Sequence, residues 1–235
     1  MSAQNYDRFK DAPWFKPLKV IVGGAGGIGS NLIYLLAKMP YRIYIYDFDV
    51  VEAHNSCQML GGFTNIGKLK TRAVRELAQK LSDNYGIREF GEYTSEGMVD
   101  DIMFAGFDNM KARKLMYDNW KQYQLTKVEE PAIEEPKKEV NLFVDMRLAA
   151  ETGIIYFIDS KERMERYEAE LFDDSEVPDE PCTFRATAHA SMLIASYAVA
   201  GLVNKVTNVE WGIEAREVPF KLNFELPLFN MKTIV

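Results

Sequence analysis

The alternation of apolar and polar residues divides the chain into short strands and amphipathic helices. Residues 18–23, "LKVIVG", form a β-branched run closed by glycine and predict a buried strand. A glycine-rich turn follows. "IGSNLIYLLAKM" then places apolar residues at 28, 32, 33, 35, 36 and 39, one face of a helix that Pro40 stops. "RIYIYDFD" (42–49) predicts a second strand ending in acids. A helix is expected over about 68–85, with Leu69, Ala73, Leu77 and Leu81 on its apolar side. Strands are expected at 88–95 and 100–108, and a helix at 111–123.

The periodicity breaks at 126–141, a charged stretch with two prolines that predicts an exposed loop. Residues 142–159 regain strand character, with a hairpin turn expected around Thr152-Gly153. A short helix (161–172), an acidic Pro-containing loop (173–181) and an apolar helix (184–206) follow. The tail predicts two extended segments. Strand, glycine loop, helix and strand make the opening unit of a doubly wound fold. The expected class is therefore α/β: a Rossmann-like, largely parallel sheet with helices on both faces. An additional C-terminal strand and helix portion completes it. No repeat or low-complexity linker divides the chain, so residues 1–235 read as one domain that includes an N-terminal segment, 1–17.

Composition narrows the function classes. Hydrophobic residues make up 47 % and charged residues 27 %, an ordinary globular balance. A net charge of −7 argues against a general nucleic-acid binder. Two cysteines, Cys57 and Cys182, make neither a disulfide framework nor a four-cysteine zinc site, so no zinc is expected and a cytoplasmic setting is. The first residues lack the apolar core of a signal peptide. The apolar stretch 190–203 is too short to span a bilayer, so no membrane partner is expected.

Gly24-x-Gly26-x-x-Gly29 is a phosphate-binding loop pattern, and Asp47 lies 18 residues beyond it, where an acid can accept hydrogen bonds from a ribose. These features alone leave NAD, FAD, S-adenosyl compounds and ATP open. "DFDVVEAHN" (47–55), "GKLK" (67–70) and "FDNMKAR" (107–113) follow in order. Together with the glycine loop, this series resembles the ThiF/MoeB family of ubiquitin-activating-enzyme-like adenylyltransferases, and a compact member without zinc cysteines.

The resemblance implies an enzyme that binds ATP with Mg²⁺. It would join a carboxylate to the α-phosphorus as an acyl-adenylate and release pyrophosphate. The partner would be a ubiquitin-like or sulfur-carrier protein ending in glycine. Gly24, Gly26, Gly27 and Gly29 would wrap the nucleotide and Asp47 would bind its ribose. Asp49, Asn55 and Gln58 would shape the phosphate end, Lys70 would reach the phosphates, and Asp108 would organise Mg²⁺ and the reacting centre. Arg8, in "NYDRF", would be an arginine finger crossing a homodimer interface, and Cys182, in "EPCTFR", would take the activated acyl group as a thioester. A carboxylate nucleophile is already ionised at neutral pH and needs no base. His54 and His189 are accordingly poor catalytic candidates. Asp145 and Arg147, at the end of another strand, either line the groove for the incoming tail or pair with each other.

One departure stands out. Family members carry Arg-Gln shortly after the asparagine, whereas this chain has "NSCQML". Gln58 then matches the glutamine, and the arginine that contacts the triphosphate is missing. Lys68 or Arg72 could supply the charge. Without a substitute, the loss of a charge-assisted contact is worth about 1.5–3 kcal/mol. A degenerate nucleotide-binding scaffold or partner subunit is therefore the alternative function. An NAD(P) oxidoreductase is a third reading, opposed by the Lys70 and Asp108 motifs.

Overall fold

The computed structural model describes residues 9–129, 139–172 and 188–235. Eight strands form one sheet in the order β3-β2-β1-β4-β5-β6-β7-β8. The first five are β1 (Lys19–Gly23), β2 (Arg42–Tyr46), β3 (Ile87–Phe90), β4 (Ile102–Ala105) and β5 (Leu142–Ala149), all mutually parallel. Then β6 (Thr152–Ile158), β7 (Lys221–Glu225) and β8 (Asn230–Ile234) extend the sheet antiparallel. The parallel core and the C-terminal extension are those expected from the sequence.

The central strands are buried on both sides, which is why they read as continuous apolar runs. Side chains alternate between faces. Val20 and Val22 of β1, with Ile102 and Phe104 of β4, face a core shared with α1 (Gly27–Ala37), α2 (Lys70–Ser82) and α5 (Ala188–Trp211). Ile21, Met103 and Phe143 face the opposite core. There α3 (Met110–Glu129) contributes Met116, Tyr117 and Trp120, and α4 (Lys161–Glu168) contributes Met164 and Tyr167. Ser160 caps α4 by accepting from the Arg163 N–H at 3.3 Å.

Several boundaries fall short of expectation, with β3 ending at Phe90, β4 confined to Ile102–Ala105 and α4 ending at Glu168, and three further differences follow. Helix α3 continues to Glu129, into residues expected to be loop. Lys127 explains the extension, since its ammonium pairs with Asp101 at 2.7 Å and also with Glu139. The β5–β6 turn falls at Ala150-Glu151, where Ala150 takes φ 52°, while Thr152 and Gly153 lie inside β6. Gly153 is small because the Phe224 ring packs on it; a Cβ there would sit 2.1 Å from that ring. Third, α5 has 24 residues and is long and apolar enough, by length and composition, to cross a membrane. Here Ile194, Ala198 and Leu202 are fully buried in the core shared with α1.

The sheet order places a switch point between β1 and β4. Neighbouring connections leave in opposite directions there, which opens a crevice at the strands' C-terminal ends.

Candidate functional site

That crevice is a cleft of about 380 Å³, lined by Gly24, Gly26, Asp47, Asp49, Lys70 and Asp108 among others. Each of these was a candidate from the sequence. The four glycines divide the work. Gly24 turns the chain at φ 89°, with its N–H donating to the Tyr46 carbonyl at 2.8 Å. Gly26 faces open space, with nothing within 4 Å of an added Cβ. Gly27 and Gly29 do not line the cleft and serve close packing. A Cβ on Gly29 would lie 1.9 Å from the Gly24 carbonyl oxygen, and one on Gly27 would lie 2.9 Å from the Ser191 hydroxyl of α5.

Asp47 follows β2 and shapes the loop from the other side. Its Oδ2 accepts from the Ala25 N–H at 2.7 Å and its Oδ1 from the Asp49 N–H at 2.8 Å. Burial raises the pKa of Asp47 above the usual carboxylate value, against the opposing pull of those two N–H groups and Lys70. Lys70 begins α2, and its ammonium meets Asp49 Oδ2 at 2.7 Å. Asp108 is exposed at the cleft, and Asn109 beside it caps α3 by accepting from the Ala112 N–H at 2.8 Å.

Asn55 and Gln58 stand outside the cleft lining. Asn55 closes a 3-10 turn, accepting from the Glu52 N–H at 2.9 Å. Gln58 backs the glycine loop, with its Cβ 3.1 Å from where a Gly27 Cβ would be. His54 pairs with Glu52 and His189 with Glu151, both on the surface. Arg8 and Cys182 lie outside the described residues. Neither candidate for the missing charge reaches the cleft: Lys68 pairs with Glu76 at 3.1 Å and Arg72 with Glu89 at 3.5 Å.

The floor beside the cleft is held by a buried ionic network. Arg113, from the Asp-Asn-x-x-x-Arg motif, donates to Asp145, to the Met146 carbonyl at 2.7 Å and to the Phe107 carbonyl, next to Asp108. Asp145 is fully buried and also accepts from Arg147 at 2.6 Å and the Tyr167 hydroxyl at 3.0 Å. Asp145 and Arg147 therefore pair with each other. Burial alone would raise the Asp145 pKa, but Arg113 and Arg147 outweigh it and hold the carboxyl below its ordinary value.

Sequence reasoning missed Glu92, Tyr93, Phe107 and Lys111, which also line the cleft. They follow β3 and β4 or begin α3. Their signal is positional, because ligands in open α/β sheets bind beyond the carboxyl ends of the strands.

Mg²⁺ accompanying a nucleotide suits this donor set. It is typically held by one or two carboxylates plus phosphate oxygens and water. Asp49 and Asp108 both line the cleft, Asp49 through a carboxylate that also pairs with Lys70. No group of three or more His, Cys, Asp or Glu residues that could cage a metal unaided occurs among the described residues.

The chain is similar to known proteins in sequence and in fold. "Probable adenylyltransferase/sulfurtransferase MoeZ" of Mycobacterium tuberculosis is 32 % identical over 111 residues, covering 44 % of this chain and 28 % of that protein. "Adenylyltransferase and sulfurtransferase UBA4" of Meyerozyma guilliermondii is 35 % identical over 95 residues, covering 40 % and 22 %. The alignments thus span less than a third of these relatives' length. Among solved structures, PaaA superposes with a TM-score of 0.67 at 13 % identity, covering 99 % of this chain and 73 % of that one. MccB of E. coli, crystallised with ATP, superposes with a TM-score of 0.62 at 14 % identity, covering 97 % and 64 %. At that identity the likeness speaks to the fold. The ThiF family model matches residues 14–234, nearly the whole described chain. On that match, this chain belongs to the ThiF family.

Proposed function

We propose that this protein is an ATP-dependent adenylyltransferase that activates the C-terminal carboxylate of a ubiquitin-like or sulfur-carrier protein. The observation that carries the reading is the convergence of Gly26, Asp47, Lys70 and Asp108 on one cleft at the switch point. The similarity to the adenylyltransferases MoeZ and UBA4 supports it.

The residues divide the chemistry as follows. The open backbone at Gly26 and the N-terminus of α1 receive phosphate oxygens. Asp47 accepts hydrogen bonds from the ribose hydroxyls. Lys70 exchanges part of its contact with Asp49 for a phosphate oxygen. An acceptor carboxylate oxygen then forms a bond to the α-phosphorus. The bond from that phosphorus to the bridging oxygen breaks, and its electron pair leaves with pyrophosphate. Negative charge gathers on the leaving group, where Lys70 stabilises it. Mg²⁺, when bound through Asp108, would neutralise phosphate charge. No side chain has to remove a proton from the nucleophile.

A scaffold without activity is the second reading, favoured by the outward pairing of Lys68 and Arg72. Titration with Mg-ATP and, separately, NADH tests the site. Mg-ATP binding weakened roughly ten- to hundredfold in Lys70→Ala is expected. Tight NADH binding without ATP binding would overturn the reading.

A further inference from the structure

We infer that Glu92 reads the base of the bound nucleotide, accepting a hydrogen bond from the exocyclic amino group of adenine while Phe48 and Tyr93 supply ring contacts. The inference rests on the nucleotide reading above.

The sheet order lays the nucleotide across the strand ends. Gly26 and Asp108, the groups assigned to the phosphate end, follow β1 and β4, and Asp47, assigned to the ribose, follows β2. Strand β3 lies beyond β2, on the side away from β1. Neighbouring strands are about 4.8 Å apart, so the end of β3 stands about 10 Å from that of β1. A nucleotide with its phosphates at β1 and its ribose at β2 therefore carries its base towards the end of β3. The cleft lining on that side consists of Phe48, Glu92 and Tyr93.

These side chains suit a planar base. Phe48 is 64 % exposed, an aromatic ring left open on the cleft between Asp47 and Asp49. Tyr93 is buried and pinned in place. Its hydroxyl donates to the Met98 carbonyl at 3.3 Å and accepts from the Asn119 amide at 3.2 Å, and its ring meets that of Tyr46 edge-on at 5.0 Å. With its hydroxyl spent on the protein, Tyr93 offers the cleft a ring. Rings hold any base, because every base has a π-face. Discrimination needs a polar group, and on this side of the lining Glu92 is the side chain that has one to give. It is exposed, and no ion pair engages it among the described residues. An ionised carboxylate accepts hydrogen bonds and donates none. The 6-amino group of adenine is a donor on the base edge, so it satisfies Glu92. The acid also stands at the end of the nucleotide remote from the phosphates, where its charge does little harm.

Calorimetric titrations test this with Mg-ATP, Mg-GTP and the Mg complex of purine riboside triphosphate, which differs from ATP in lacking the 6-amino group. The proteins compared are the wild type, Glu92→Ala and Phe48→Ala. The wild type is expected to prefer ATP over purine riboside triphosphate roughly tenfold or more, the gain of one hydrogen bond to a charged acceptor. Glu92→Ala brings the two ligands to within about twofold of each other, a change of ratio that a general loss of folding would not produce. Phe48→Ala weakens both by the same factor, about fivefold or more, and keeps the preference. Equal binding of the two ligands by the wild type, or a preference unchanged in Glu92→Ala, overturns the assignment while leaving the nucleotide site standing. Tighter binding of GTP than of ATP overturns the adenine assignment as well. A wild type that binds none of the three overturns both this inference and the nucleotide reading.

Discussion

Lys70 and Asp49 are joined twice: the Lys70 ammonium meets the Asp49 carboxylate at 2.7 Å, and the Lys70 N–H donates to the Asp49 carbonyl at 2.8 Å. The backbone bond fixes the start of α2 against the end of the β2 loop. The side-chain bond parks the ammonium in the cleft, where a phosphate can compete for it. Lys70→Ala should therefore cost nucleotide affinity more than stability. A loss of roughly ten- to hundredfold in Mg-ATP affinity, with a melting temperature close to that of the wild type, is expected from one charge-assisted contact. Titration beside thermal melts checks it, and a large fall in melting temperature would make the pair structural.

The glycines separate packing from binding. Gly29→Ala would drive a Cβ to 1.9 Å from a backbone oxygen, which no side chain can relieve. It should destabilise by about 1–3 kcal/mol or more through overpacking. Gly26→Ala meets nothing within 4 Å and should fold normally, but its methyl enters the cleft and should weaken nucleotide binding. Chemical denaturation of both variants distinguishes these effects. Equal stability of the two would contradict the division of roles.

The buried Asp145 carboxyl, depressed by Arg113 and Arg147, links stability to pH. Its folded pKa lies below the unfolded value of about 3.9. The stabilisation is thus full above the unfolded pKa and is lost as pH falls through the folded pKa. Asp145→Asn leaves two guanidinium groups uncompensated and should cost about 3–5 kcal/mol at neutral pH. Its stability should also fall less steeply on acidification. An acid limb identical to the wild type's would show that Asp145 does not carry it.

Asp47 has the opposite sign. Burial raises its pKa, so it binds its proton at a higher pH than an ordinary carboxyl. Protonation removes an acceptor for the ribose and loosens the Ala25 and Asp49 contacts. Mg-ATP affinity should decline on the acid side beginning above about pH 3.9. Asp47→Asn should bind more weakly and lose that limb, as a pH series of binding constants would show.

The parallel half of the fold was legible in the sequence because two-sided burial writes itself as β-branched runs and the glycine loop marks the first crossover. The boundaries that shifted depend on distant residues. Thr126 to Glu129 look like loop beside Pro131, yet the pairing of Lys127 with Asp101 and Glu139 keeps them helical. Gly153 looks like a turn residue because the Phe224 ring that requires it lies 71 positions away. The site divides the same way. Asp47 was readable from its place after the second strand, and Asp49, Lys70 and Asp108 from the series of motifs that resembles the ThiF/MoeB family. Tyr93 and Lys111 join them only because the sheet order brings the end of β3 and the start of α3 to the same crevice.

The protein, as proposed, uses ATP to activate a carboxylate. The most direct test is exchange of labelled pyrophosphate into ATP, with Mg²⁺ and candidate carrier proteins ending in Gly-Gly, for the wild type and Asp108→Ala. Acceptor-dependent exchange by the wild type is expected, with its loss, by roughly a hundredfold or more, in the variant. Firm Mg-ATP binding without exchange for any acceptor would contradict it and make the protein a nucleotide-binding scaffold.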